Sequence, residues 1–141
     1  MVVTFCGHSS LATGAYCDIK KRVISELEAL ISEGADTFLL GGYGDFDTLC
    51  AVAVRELKEK YPHIRSVLVI PYIDRTFDKA LYDESMYPDI ENVPKRFAIS
   101  YRNKEMVKRA DALVAYITHE FGGAYTTYKF AKSKKKRIIE I

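Results

Sequence analysis

The 141-residue chain has no tryptophan, only four prolines and only three cysteines. Three cysteines, Cys6, Cys17 and Cys50, are an odd number at spacings that fit no metal pattern, which argues against a disulfide framework and a cysteine metal site. Cys6 and Cys50 lie in apolar segments, where a free thiol packs as a small hydrophobe. No metal and no cofactor is expected. No apolar run is long enough to span a bilayer, and the chain opens on a short strand pattern without leader or lipidation signals. A cytoplasmic protein with no membrane partner is therefore expected. Charge of neither sign dominates: 21 Lys and Arg against 19 Asp and Glu give +2, too little to draw the chain to nucleic acid.

What is present fits a globular domain. Hydrophobic residues at 48% and charged residues at 28% place the chain in the class that folds around a core. Its length suits one domain over residues 1–141, which can bury about two-thirds of its unfolded surface. Ten tyrosines supply most of the aromatic content, a bias toward rings with a polar tip.

Apolar spacing then sets the elements. Val2 to Cys6 reads as a strand, followed by the turn Gly7-His8-Ser9-Ser10. Ile19, Val23, Ile24, Leu27, Leu30 and Ile31 recur at helical spacing, so a helix is expected from Asp18 to Glu33, with Asp18 as N-cap and Gly34 just beyond its end. Thr37 to Leu40 is a second strand, broken by Gly41-Gly42-Tyr43-Gly44, and Phe46 to Lys60 a second helix. Ser66 to Ile70 is a third strand. Asp74 to Pro94 shows no period and reads as a long loop, the kind that often contacts ligands. A helix over Arg96 to Arg109, a strand over Ala112 to Ile117, a helix over Tyr125 to Ser133 and a fifth strand over Arg137 to Ile141 complete the chain. Continuous apolar strands alternating with helices predict a Rossmann-like three-layer α/β/α sandwich on a mainly parallel five-stranded sheet.

In such folds ligands bind beyond the carboxyl ends of the strands. Three turns fall there: Gly7-His8, Gly41-Gly42-Tyr43-Gly44-Asp45 and Phe121-Gly122-Gly123-Ala124. Glycines let backbone N–H groups approach an anion, and a helix start adds partial positive charge. The same glycines also serve merely to permit tight turns. Arg102 can grip a phosphate with paired bonds, or lie solvated. His8 is a ligand contact, a proton donor or a structural partner for a loop. Asp45 and Asp47 open a helix, where they cap it or reach ribose or base. The Lys132, Lys134, Lys135, Lys136, Arg137 run sits at a helix end and lacks stacking aromatics, so it reads as a solvated terminus.

Taken in order, Gly41-Gly42-Tyr43-Gly44, Arg102, Met106, Ala110-Asp111, the strand Leu113 to Tyr116, and Gly122, Gly123 and Thr126 resemble the SLOG superfamily, whose pattern ends in a PGGxGTxxE turn. The opening Phe5-Cys6-Gly7-His8-Ser9 is similar to the FTGHR start of its YpsA-like branch of bacterial proteins. The resemblance runs over nearly the whole chain and implies a nucleotide-binding Rossmann-like domain, with a homodimer by analogy. It implies Gly7, His8, Gly41, Gly42, Gly44, Arg102, Gly122, Gly123 and Thr126 as binding residues. There are departures. Phe121 stands for the proline, Tyr125 for the third glycine, and Lys129 for the glutamate that the superfamily's phosphoribohydrolases use. In the register of the related deoxyribosyltransferases, Thr127 stands for the nucleophile. The expectation is a nucleotide-binding sensor or module without phosphoribohydrolase activity. The alternative is an N-glycosidic hydrolase or transferase whose carboxylate is Asp45, Asp47 or Glu120.

Overall fold

The computed structural model describes residues 1–73, 78 and 80–141. Its elements are β1 (Val2–Gly7), α1 (Tyr16–Ser32), β2 (Thr37–Leu40), α2 (Asp45–Lys60), β3 (Arg65–Val69), β4 (Glu84–Met86), a 3-10 turn (Lys95–Phe97), α3 (Ala98–Arg109), β5 (Ala112–Tyr116), α4 (Gly122–Ser133) and β6 (Arg137–Glu140). Every neighbouring strand pair is parallel, in the order β4-β3-β2-β1-β5-β6.

Alternating side chains divide between two apolar layers, which is why the central strands read as unbroken hydrophobic runs. Val3, Phe5, Phe38, Leu40, Leu68 and Val114 pack with Val23, Leu27 and Leu30 of α1 and Leu49, Ala53 and Val54 of α2. On the other face Cys6, Leu113 and Ala115 meet Val107 of α3 and Ala131 of α4. Leu39, Val67 and Val69 meet Met106 there. Each fully buried Leu or Phe contributes about 1.5–3 kcal/mol relative to exposure. Asp111 pins the amino end of the sheet: its backbone N–H donates to Val2 O at 2.7 Å, and Val2 N donates to its carboxylate at 2.8 Å.

Six strands stand where five were expected. The sixth, β4, lies inside the segment read as an aperiodic loop. At three residues it is too short to leave a period, and remote bonds hold it. The Asp83 carboxylate accepts Ser66 N at 2.9 Å and lies 2.7 Å from the Lys58 ammonium, while Ile70 N donates to Met86 O at 2.8 Å. Asp74, Arg75, Thr76, Phe77 and Lys79 of that loop lie outside the described residues.

All four helix starts also differ from expectation: α2 begins one residue early at Asp45, and α3 two residues late at Ala98, after the 3-10 turn. α1 begins at Tyr16, with Ala15 at the N-cap and no capping side chain; Asp18 sits in the first turn, where its charge suits the helix dipole. α4 begins at Gly122, so both glycines belong to the helix rather than to a loop before it. Among the described residues no helix is long and apolar enough to cross a membrane.

Candidate functional site

From β1 the chain winds outward through β2, β3 and β4, then returns to place β5 on the other side of β1. At this reversal the loops beyond β1 and β5 part, leaving a cleft of about 490 Å³. Gly7, His8 and Ser9 line it from β1, Gly41 and Tyr43 from β2, Arg102 from α3, and Phe121 to Ala124 from the start of α4.

The turn after β2 is internally bonded. Gly41 N donates to the Asp47 carboxylate at 3.3 Å, and Gly42 N donates to its other oxygen. Arg102 is 2% exposed, and its guanidinium donates to Gly41 O at 2.6 Å, to Val69 O at 2.8 Å and to Asn103 Oδ1 at 2.9 Å. Arg102 thus ties the carboxyl ends of β2 and β3 to α3. Burial pushes the Asp47 carboxyl up from its ordinary range, opposed by the Gly42, Gly41 and Tyr43 N–H groups and by the Arg102 charge. Asp45 clips a different join: Leu11 N donates to its carboxylate at 3.1 Å, and its own N–H donates to Ser9 O at 2.9 Å.

The turn after β5 is open. Among the described residues no side chain caps α4, and a Cβ built on Gly122 or Gly123 meets none of their atoms within 4 Å. Gly122 adopts φ +90°, a left-handed value that favours glycine. Gly122, Gly123 and Ala124 line the cleft, and the first-turn N–H groups of a helix carry the partial positive charge of its start. Behind them Thr127 is buried, its hydroxyl donating to Gly123 O at 2.9 Å.

Rings join the loops across the reversal. His8 is buried, and its Nε2 accepts Thr118 N at 2.8 Å, which fixes this nitrogen as unprotonated. Burial, and then the neighbouring His119, lowers the His8 pKa. The His119 ring stacks on His8 with centroids 3.6 Å apart, and Phe121 stacks on His119 at 4.0 Å. Cys6 also lines the cleft, and burial pushes its thiol up to about 12, which disfavours the thiolate.

Of the residues expected from sequence, Gly7, His8, Gly41, Arg102, Gly122 and Gly123 line the cleft, while Gly42, Gly44 and Thr126 do not. Gly44 packs on Ser9, and the exposed Thr126 hydroxyl bonds back to Gly122 O at 3.0 Å. Asp47 is the one carboxylate among the described lining residues. Glu120 lies in a neighbouring hollow with Tyr125 and Tyr128, and the exposed Lys129 ammonium sits 5.6 Å from the Tyr125 ring centre. Sequence reasoning put Tyr43 and Phe121 in turns at this edge and Thr127 at the deoxyribosyltransferase nucleophile position without counting them as binding residues, and it did not single out His119; all four line the cleft. The available signals were the i, i+4 spacing of Gly123 and Thr127 on a helix and the i, i+2 spacing of His119 and Phe121. Among the described residues no three His, Cys, Asp or Glu side chains are grouped to hold a metal.

An all-parallel sheet with helices on both faces and a cleft at its strand-order reversal defines a Rossmann-like domain. The family model YpsA, the YspA SLOG family, matches residues 12–139, and the chain belongs to that family. The UPF0398 protein BH1768 of Halalkalibacterium halodurans is 23% identical over 155 aligned positions, covering 96% of this chain and 82% of that protein. DNA processing protein A from Helicobacter pylori, solved in a study of its single-stranded DNA binding, is similar in fold, with a TM-score of 0.68 at 15% identity over 99% of this chain and 64% of that one. The Chlamydomonas rheinhardtii Moco carrier protein is similar with a TM-score of 0.56 at 14% identity, covering 99% of this chain and 74% of that one.

Proposed function

We propose that this chain binds a nucleotide or nucleotide derivative, as a sensor or ligand-binding module without phosphoribohydrolase activity. The observation that carries the reading is the uncapped, side-chain-free start of α4 inside the switch-point cleft. A phosphate seated there accepts first-turn N–H groups and meets the positive end of the helix. Arg102 acts from beneath the site as a fixed positive charge, its bonded donors shaping the rim. Lys129, at the phosphoribohydrolase glutamate position, supplies no carboxylate and is not among the cleft-lining residues. One fold neighbour binds single-stranded DNA, itself a phosphate polymer, which is compatible with the reading.

Isothermal titration with mono-, di- and cyclic nucleotides tests it. At least one binds, and at about 100 times its dissociation constant it stabilises the fold by roughly 2.7 kcal/mol. Gly123→Asp places a carboxylate at the helix start, where it favours the helix but repels a phosphate. That variant folds normally and loses the ligand. Binding of no nucleotide in the panel, or undiminished binding by Gly123→Asp, sinks the proposal.

Asp47 favours a second reading, N-glycosidic cleavage. A cation-like sugar needs a nearby negative charge, and among the described lining residues Asp47 is the one carboxylate. Incubation with nucleoside monophosphates followed by chromatography for free base decides it. No release above blank, or equal release by Asp47→Asn, dismisses this chemistry.

A further inference from the structure

We infer that the cleft recognises its ligand by a ring as well as a phosphate, the base continuing the His8–His119–Phe121 ladder by stacking on Phe121. This rests on the nucleotide reading of the same cleft. The ladder is anchored at its inner end. His8 is 7% exposed, held by Thr118 N, and meets the edge of Tyr116 at 6.4 Å, while Tyr116 stacks on the fully buried Phe46 at 5.7 Å. The ladder rises through His119, with planes within 16° of His8, to Phe121, within 29° of His119. Its outer end is bare: Phe121 lines the cleft and is 69% exposed.

A lone exposed phenylalanine is common on protein surfaces and means little. This one differs in two ways. It is the top of a stack already ordered down to the core, so covering its face requires little further ordering. It is also the N-cap residue of α4, directly beside the open first-turn amides of Gly122 and Gly123. Ring platform and anion seat therefore sit on adjacent residues, and one nucleotide spans both. Phe121 stands where the superfamily's PGGxGTxxE pattern has a proline. Tyr43, 63% exposed in the same cleft, offers a further ring face. A base on an aromatic platform is held through its π-face, so affinity depends on having a ring. A sugar phosphate engages only the helix start.

The test is titration of AMP, ADP, CMP and ribose 5-phosphate into the wild-type chain, Phe121→Leu and Phe121→Trp. Phe121 is exposed, so both variants fold, which melting temperature verifies. The nucleotides bind the wild type about tenfold or more tighter than ribose 5-phosphate. Phe121→Leu brings them down to the ribose 5-phosphate level without changing that level, and Phe121→Trp restores the difference. Equal wild-type affinity for nucleotides and ribose 5-phosphate, or nucleotide affinity unmoved in Phe121→Leu, overturns the ladder while leaving the phosphate seat standing. Binding of none of the three nucleotides overturns the ladder, and the wider panel then decides whether the nucleotide reading falls with it.

Discussion

After β2 the chain runs Gly41-Gly42-Tyr43-Gly44; after β5 it runs Phe121-Gly122-Gly123-Ala124. Both are paired glycines at the carboxyl edge of one parallel sheet. In the first, the Gly41 and Gly42 N–H groups are taken by Asp47, the Gly41 carbonyl by Arg102, and a Cβ on Gly42 would lie 2.6 Å from Leu68 Cδ1. In the second, among the described residues, no side chain caps the helix and a Cβ on either glycine meets no atom within 4 Å. Identical dipeptides thus serve a self-satisfied structural turn and a turn that faces the cleft. What separates them lies elsewhere in the chain: a carboxylate five residues downstream of Gly42 and an arginine on α3.

Removing that arginine is the largest way to break the contrast. Arg102→Met leaves two buried carbonyls without their donor and Asp47 without its countercharge, and costs about 3–5 kcal/mol in urea unfolding without ligand. A loss below about 1 kcal/mol refutes the structural tie. A paired alanine substitution sharpens the contrast at smaller scale. Gly42→Ala forces a left-handed residue at φ +70° against Leu68 and costs about 2 kcal/mol or more. Gly123→Ala, in helical conformation with open space, stabilises by about 0.5–1 kcal/mol. Equal effects on thermal unfolding would falsify the distinction between the turns.

The smallest effect comes from the ladder that borders the open turn. The His8 pKa is lowered in the fold, so the unfolded chain takes up the proton first as pH falls. His8's contribution is therefore complete above the ordinary imidazole value of about 6.5 and is lost as pH drops below it. Melting temperatures from pH 8 to pH 5 should decline more steeply for the wild type than for His8→Gln. Parallel curves refute the linkage.

The layers were legible because buried parallel strands need apolar side chains on both faces, and α1 and α2 carry their stripes at helical spacing. The cleft's place followed from strand alternation alone. The partners within it did not. Nothing near Gly41 announces that Asp47 will turn back onto its amides, or that Arg102, 61 residues on, will bind its carbonyl. The resemblance pointed to Thr126, whose hydroxyl bonds back to Gly122 O, while its neighbour Thr127 lines the cleft, and no local pattern separates the two. The ring ladder joins residues more than 110 positions apart, a distance that no local pattern reports.

The three-residue strand β4 guards the molecule against itself. Beside it β3 carries Ser66, Val67, Leu68 and Val69, all buried. Left at the margin of the sheet, that run would offer its unpaired amides and carbonyls to any other extended chain, a seed for aggregation. β4 covers it with a strand too short to recruit a partner well, Glu84 and Ser85 exposed on it and an Arg65–Glu84 ion pair at 2.6 Å across the join. The segment read as an aperiodic loop thus supplies the strand that covers β3 at one end of the sheet.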